Sequence, residues 1–241
     1  YRAVGRNKIG LVVNLEPKYP ASERPEDIAA TTRAHAYMNR QFLDPVFRGE
    51  YPEEMRLIFG VAWPDVPAAD LELIRQPIDF LGVNYYTRNV VRHTAHKFPL
   101  YAKPVLQRRS TYTQTDWEVY PDGLSDTLRW VRDRYGDIAL YVTENGAAFY
   151  DPPVADGTVS DPLRVRYYRD HIRAVHTAIR DGVDVRGYFA WSLLDNFEWA
   201  LGYARRFGIV HVDYATQKRT PKASARYYAE VIRTHGASLA D

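Results

Sequence analysis

Leu140-Tyr141-Val142-Thr143-Glu144-Asn145-Gly146 is an apolar run that stops abruptly in Thr-Glu-Asn-Gly. A buried strand reads this way when its last residues emerge into a cavity. Leu124, Leu128, Val131 and Tyr135 precede it at helical spacing, and a Pro/Gly-rich loop from Asp151 to Gly157 follows. Glu144 therefore sits at a strand-to-loop junction on a rigid scaffold, the position at which α/β barrels place their chemistry.

Further along the chain, Asp161 is expected to cap a helix that has Pro162 in its first position, with Tyr168, Ile172, Val175 and Ile179 recurring at helical spacing up to Asp181-Gly182. Val185 to Ser192 reads as the next strand, and a loop rich in Asp195, Asn196, Glu198 and Trp199 follows it. Ile209 to Val212 predicts a short extra strand, and Thr220-Pro221 the start of a last helix ending at Gly236.

In the other direction, Ile78 to Tyr86 is an apolar run ending in polar groups, a second buried strand. Thr87 to Val119 has no clear period and reads as a long surface loop with some irregular strand. Ile9 to Leu15 opens the chain as a strand covered on both faces, as if in mid-architecture. Glu16 to Pro20 is a loop, Ser22 and Pro25 open a helix running to about Phe47, and Glu53 to Arg75 gives short broken helices.

Strand then helix, four times over 241 residues, predicts parallel strands joined by helical crossovers. Asn14 with Glu16, Asn84 with Tyr86, Glu144 with Asn145, and Trp191 all lie at strand ends, and in a parallel sheet such ends share one side. Glu144 alone reads more readily as a strand-end ion-pair partner, and Trp191 or Tyr86 alone as core. Their convergence is what points to a site. A phenol near a carboxylate, as Tyr86 would be near Glu144, holds it ionised and oriented.

Composition excludes several classes. Hydrophobic residues make 46% and charged residues 26% of the chain, so a folded globular domain is expected. The formal charge of +2 has no basic block behind it, which argues against nucleic acid, and Arg205-Arg206 reads as a solvated face. With no Cys there are no disulfides, thiolate metal sites or Cys nucleophiles. No apolar run approaches the ~18 residues a membrane span needs, so no membrane partner is expected and the cytoplasm is the default location. His171 and His176, five apart, miss the helical metal spacing. No Gly-x-Ser-x-Gly elbow or phosphate loop is present, and no metal or cofactor is expected. Nineteen Tyr and five Trp suit both core packing and sugar rings.

Tyr141-Val142-Thr143-Glu144-Asn145-Gly146, Asn84-Tyr85-Tyr86-Thr87, Trp191 to Trp199 and Arg206 to Tyr214 together resemble the C-terminal half of glycoside hydrolase family 1, the β-glucosidases. The resemblance runs from Tyr1 to about Ala229. It implies a TIM (β/α)8 barrel of which residues 1–241, read as a single domain, supply the C-terminal four β/α units, a half barrel. It further implies a retaining β-glucosidase with Glu144 as nucleophile, Tyr86 orienting it and Asn84 beside it. Trp191 would lie beneath the sugar, Glu198 and Trp199 would bond its hydroxyls, and Phe207 would close the wall. A plain glycone follows from Glu198, namely glucose, with galactose or fucose tolerated.

The family's acid/base Glu lies in a Thr-Phe-Asn-Glu-Pro motif, which this sequence lacks. Asn14-Leu15-Glu16-Pro17 is similar to the family's fifth strand instead, so Glu16 is rejected for that role. The expected partners are a β-glucoside or oligosaccharide substrate and either a complementary N-terminal half barrel or a second copy of this chain. The alternative is a catalytically incomplete half barrel that self-associates or binds sugar without hydrolysing it.

Overall fold

A computed structural model describes residues 5–239. The strands are β1 (Gly10–Asn14), β2 (Lys18–Pro20), β3 (Phe80–Asn84), β4 (Asn89–His93), β5 (Ala102–Pro104), β6 (Ala139–Asn145), β7 (Val185–Ala190), β8 (Val210–Val212) and β9 (Arg219–Pro221). The α-helices are α1 (Pro25–His35), α2 (Gln41–Arg48), α3 (Glu53–Phe59), α4 (Ala68–Ile74), α5 (Asp122–Tyr135), α6 (Pro162–Arg180) and α7 (Ala223–Arg233).

The organising element is a four-stranded sheet in the order β1-β3-β6-β7, every neighbour parallel. Sequential order with all strands parallel demands a crossover after each strand. Strand residues alternate between two faces. Leu81, Val83, Leu140 and Val142 point one way and form the main core with Leu124, Leu128 and Val131 of α5 and Ala174, Val175 and Ala178 of α6. The opposite face carries Val12, Gly82 and Thr143, which crowd one another, with Phe80 against the ring of Tyr141 at 5.4 Å. Among the described residues no helix covers that second face: Val12 remains 49% and Phe189 55% exposed. Among the described residues the sheet does not close, and β1 and β7 are its two edges.

Several elements differ from the sequence expectation. The helix expected from Pro25 to Phe47 is broken by a π turn at Ala36–Arg40. Pro45 lies within α2 and has no N–H for the Gln41 carbonyl, so the regular ladder cannot run through this stretch. Asn39 in the π turn bonds both the backbone N–H and the carbonyl of Glu16, pinning the loop after β1. The stretch read as a surface excursion contains β4 and β5, which join β2 in a second sheet.

Asp161 and Pro162 take the expected N-cap and first positions of α6, but the Asp161 side chain makes no capping bond. Its carboxylate instead accepts bonds from Ser224 and Arg164. Ile179 is 45% exposed, while Tyr167, His171 and Ala178 take the buried face of α6. Thr220-Pro221 belongs to β9, paired with the expected strand β8, and the last helix begins at Ala223.

Candidate active site

The C-terminal ends of β1, β3, β6 and β7 border one cleft of about 420 Å³ lined by Asn14, Leu15, Glu16, Asn84, Tyr86, Thr87, Trp117, Glu144, Trp191, Glu198, Trp199 and Phe207. Parallel order accounts for the convergence, since all four strands end on the same side. Every residue singled out from the sequence as a site residue is here: Glu144, Tyr86, Asn84, Trp191, Glu198, Trp199 and Phe207.

Glu144 is aimed by an irregularity in its strand. Thr143 and Glu144 are consecutive, so in a regular strand they would face opposite ways. Yet Thr143 donates its hydroxyl to Asn84 Oδ1 at 2.6 Å, and Glu144 Oε2 accepts from the Tyr86 hydroxyl at 2.5 Å. The register shifts between Val142 and Asn145 against β7, and between Val83 and Asn84 against β6. Such an irregularity re-aims a side chain. Burial pushes the Tyr86 phenol well above its ordinary range, and the bond to Glu144 adds to the effect. Tyr86 therefore stays protonated and donates to the carboxylate.

The backbone beyond Glu144 is fixed from all sides. Asn145 is fully buried; its amide donates to the Tyr85 carbonyl at 2.7 Å and to the Tyr167 hydroxyl at 3.0 Å, and its Oδ1 accepts from Tyr188 at 2.6 Å. The Asn145 carbonyl accepts from the Trp191 N–H at 2.9 Å. Gly146 lies so close beneath the next strand end that an added Cβ would stand 1.8 Å from the Trp191 carbonyl oxygen. The carboxylate and Trp191 are thus parts of one braced unit.

Glu198 is held up from the ordinary carboxyl range by burial; Trp191 opposes this with a hydrogen bond and the charge of Glu144 adds to it. A shifted carboxyl group that senses a second one in the same cleft marks a candidate functional site. Trp199 borders the cleft from a left-handed backbone conformation at φ 44°, with 80% of its surface exposed.

Trp117 was not legible in the sequence, because it lies in the stretch that reads as a surface loop. Its ring stands 5.0 Å from Tyr86 and 6.0 Å from Phe207. The neighbouring Glu118 is buried, accepts both guanidinium bonds of Arg88 at 2.9 Å, and takes a further bond from Ser110. A buried, paired carboxylate within the stretch gives Trp117 a fixed base. Glu16 also borders the cleft and accepts bonds from Lys18 and Asn89. Arg205 and Arg206, expected on a solvated face, are tied down instead: Arg205 to the Gln114 carbonyl, Arg206 to Asp195 and the Val212 carbonyl.

Asp151, Asp195 and His211 place ligand atoms within 4.8 Å of one another. The positive charge between the two carboxylates is already supplied by Lys222, at 2.5 and 2.9 Å. Among the described residues no helix is long and apolar enough to cross a membrane.

An α/β sheet whose strand ends gather a phenol-oriented carboxylate, a second carboxyl group and several aromatic rings in one cleft offers the flat apolar faces and polar edges that suit a sugar ring. Residues 2–237 match the glycosyl hydrolase family 1 pattern, and the chain belongs to that family. A 1,4-beta-D-glucan glucohydrolase of Thermotoga neapolitana is 45% identical over 95% of this chain and 51% of its own length. A beta-glucosidase of an Agrobacterium species is 45% identical over 92% of the chain and 48% of its own length.

Among solved structures, the family 1 beta-glucosidase of Exiguobacterium antarcticum superposes with a TM-score of 0.93 at 41% identity, covering 99% of this chain and 54% of the other. A Thermotoga maritima family 1 beta-glucosidase in complex with isofagomine lactam gives 0.91 at 41%, covering 96% and 52%. The fold is accordingly that of the α/β barrel, here open, and the chain spans about half the length of the relatives it matches.

Proposed function

We propose that this chain is the nucleophile-bearing, C-terminal half of a retaining β-glucosidase, a single domain of four β/α units that completes a barrel with an N-terminal half. The observation that carries the reading is the Glu144 carboxylate, gripped by Tyr86 at 2.5 Å inside a cleft walled by Trp191, Glu198 and Trp199. In this reading Glu144 attacks the anomeric carbon and the glycosidic oxygen leaves, giving a covalent glycosyl-enzyme that water then hydrolyses. Asn84 stands beside the nucleophile, Trp191 supports the sugar face, Glu198 and Trp199 bond its hydroxyls, and Phe207 closes the wall. Glucose is the glycone, with galactose or fucose tolerated. The beta-glucosidase names of the relatives support this substrate class.

Double displacement needs a second carboxyl group roughly 5–5.5 Å from the first to protonate the leaving oxygen and later activate water. Glu16 is engaged by Lys18 and Asn89, and the acid/base is assigned to the complementary half. The open sheet supports that assignment: β1 and β7 present unpaired edges, and Val12 and Phe189 leave an apolar face exposed, which parallel sheets do not leave in water. The cytoplasm is proposed as its compartment.

Assaying an aryl β-glucoside with this chain alone, with a complementary half, and with the Glu144→Gln variant tests the reading. Hydrolysis is expected only with both halves and only with Glu144 intact; hydrolysis by the isolated chain would refute its chemical incompleteness. The same open edges also support a second reading, a self-associating or sugar-binding fragment. Sedimentation with and without glucose separates the two, because only self-association gives a dimer in the absence of sugar.

A further inference from the structure

We propose that Asp195 is a positioning residue for the sugar-side wall of the cleft: a buried carboxylate that fixes both limbs of the 191–209 loop and, through them, Trp191, Glu198 and Phe207. The inference rests on the glycosidase reading for its kinetic arm only.

Asp195 is 4% exposed and does not line the cleft. Its carboxylate accepts from the Gly208 N–H at 3.0 Å, the Val212 N–H at 3.3 Å, Arg206 at 2.6 Å and Lys222 at 2.9 Å. Gly208 passes so close that a Cβ there would stand 2.1 Å from Asp195 N and 2.7 Å from Asp195 Oδ1. The outgoing limb of the loop, which carries Asp195, is thereby locked to the returning limb, which carries Phe207. Four backbone bonds finish the closure: Ser192 N–H to Phe207 O at 3.2 Å, Ile209 N–H to Ser192 O at 2.9 Å, Val210 N–H to Leu193 O at 2.9 Å and Asp195 N–H to Val210 O at 3.1 Å.

The lock extends to the nucleophile strand. Lys222 also donates to Asp151 at 2.5 Å, and Arg164 joins Asp151 at 2.8 Å to Asp161 at 2.6 Å. Arg164 further donates to the Ala147 carbonyl, three residues after Glu144, and to the Arg206 carbonyl, immediately before Phe207. Three carboxylates (Asp151, Asp161, Asp195) meet three cations (Arg164, Lys222, Arg206), so charge balances. A buried ion network of this kind adds little net stability relative to an apolar replacement. Its distinctive product is geometry, since it ties the backbone after Glu144 to the backbone on both sides of Phe207.

The tip of the loop is held more lightly: Phe197, Trp199 and Tyr203 are 60%, 80% and 57% exposed, and its ties are the Tyr214 hydroxyl on the Asn196 carbonyl at 3.3 Å and the Tyr203 ring 4.6 Å from that of Tyr214. Glu198 takes its position from its hydrogen bond with Trp191, which stands at the base of the loop.

Fluorine NMR of the chain labelled with 5-fluorotryptophan tests the idea without any catalytic assay, because the five Trp residues include two on this loop. In Asp195→Asn the Trp191 and Trp199 resonances are expected to shift or broaden while Trp63 and Trp130 stay in place. Unmoved Trp191 and Trp199 signals in a folded variant would overturn the proposal. Should Asp195→Asn not fold, Arg206→Gln removes the most exposed member of the network and is expected to move the same two resonances. If it leaves them unmoved, or unfolds the whole chain as well, the network holds the fold rather than the loop and the proposal fails.

In the assembled enzyme, Asp195→Asn is expected to lower kcat/KM for an aryl β-glucoside by about 100-fold, and by clearly less once Glu198→Gln is present, the remainder acting through Trp191 and Phe207. Penalties that multiply would contradict positioning through Glu198. An assembled enzyme with no glucosidase activity would sink the functional reading instead, leaving the fluorine result to decide this one.

Discussion

The hydroxyl of Tyr86 donates to Glu144 Oε2 at 2.5 Å, although the two residues stand 58 positions apart and on neighbouring strand ends. A hydrogen bond to a charged group contributes about 1.5–3 kcal/mol. Tyr86→Phe keeps the ring against Trp117 and Phe207 but removes this bond. In the assembled enzyme it is expected to lower kcat for an activated aryl glucoside on the order of tenfold to a hundredfold, with the unfolding midpoint little changed. Steady-state kinetics and thermal unfolding of the same preparation check both halves of that statement.

The two carboxyl groups of the cleft are coupled. Burial raises Glu198 first, and the charge of Glu144 raises it further. Replacing Glu144 by Gln removes that charge and should lower the Glu198 titration midpoint, read by carbon NMR of labelled Glu side chains. An unchanged midpoint would show that the two groups do not share the cleft.

Gly146 bears on stability and site geometry together. A methyl group there would stand 1.8 Å from the Trp191 carbonyl oxygen, a backbone atom that cannot swing away. Gly146→Ala is expected to cost about 1–3 kcal/mol as an overpacking substitution, seen as a lower denaturation midpoint, and to disturb Trp191 fluorescence. A variant as stable as the parent would mean that the strand ends are spaced more loosely than described.

His35 and His171 make stability depend on pH. Burial pushes each down to about 4 from its ordinary value near 6.5. Between these values the unfolded chain binds protons that the folded chain does not, so stability rises with pH through the window from 4 to 6.5 and falls as acid is added. The effect is of order 3 kcal/mol per histidine at its full extent. His171 stacks on Tyr167 at 3.8 Å and its Nδ1 bonds the Tyr167 carbonyl. His171→Gln should flatten the dependence of the urea midpoint on pH across that window. A slope that stays the same would assign the titration elsewhere.

Much of the site was legible because strand ends in a parallel sheet can be read from where an apolar run stops. Glu144, Tyr86, Asn84 and Trp191 all lie at or just beyond such stops. Glu198, Trp199 and Phe207 came from resemblance alone, since no periodicity marks a loop. Trp117 was missed because its stretch has no repeating pattern: it is held by Glu118, Arg88 and Ser110 through side-chain bonds that leave no signature in residue spacing. The diversion of the Asp161 side chain from its capping bond to Arg164 and Ser224 shares that cause, since partners set by the fold override the local preference. The Lys222 network was invisible for the same reason, its carboxylates and cations being spread from Asp151 to Lys222.

The role of Glu144 can be measured directly by trapping. The chain, assembled with a complementary half, is incubated with 2-deoxy-2-fluoro-β-glucosyl fluoride, whose fluoride leaves readily while the 2-fluorine slows the second step, and the product is digested and mapped by mass spectrometry. The expected result is one fluoroglucosyl adduct on the peptide that contains Glu144. An adduct on any other carboxylate, or continued turnover of an aryl glucoside by the Glu144→Gln variant, would contradict the assignment.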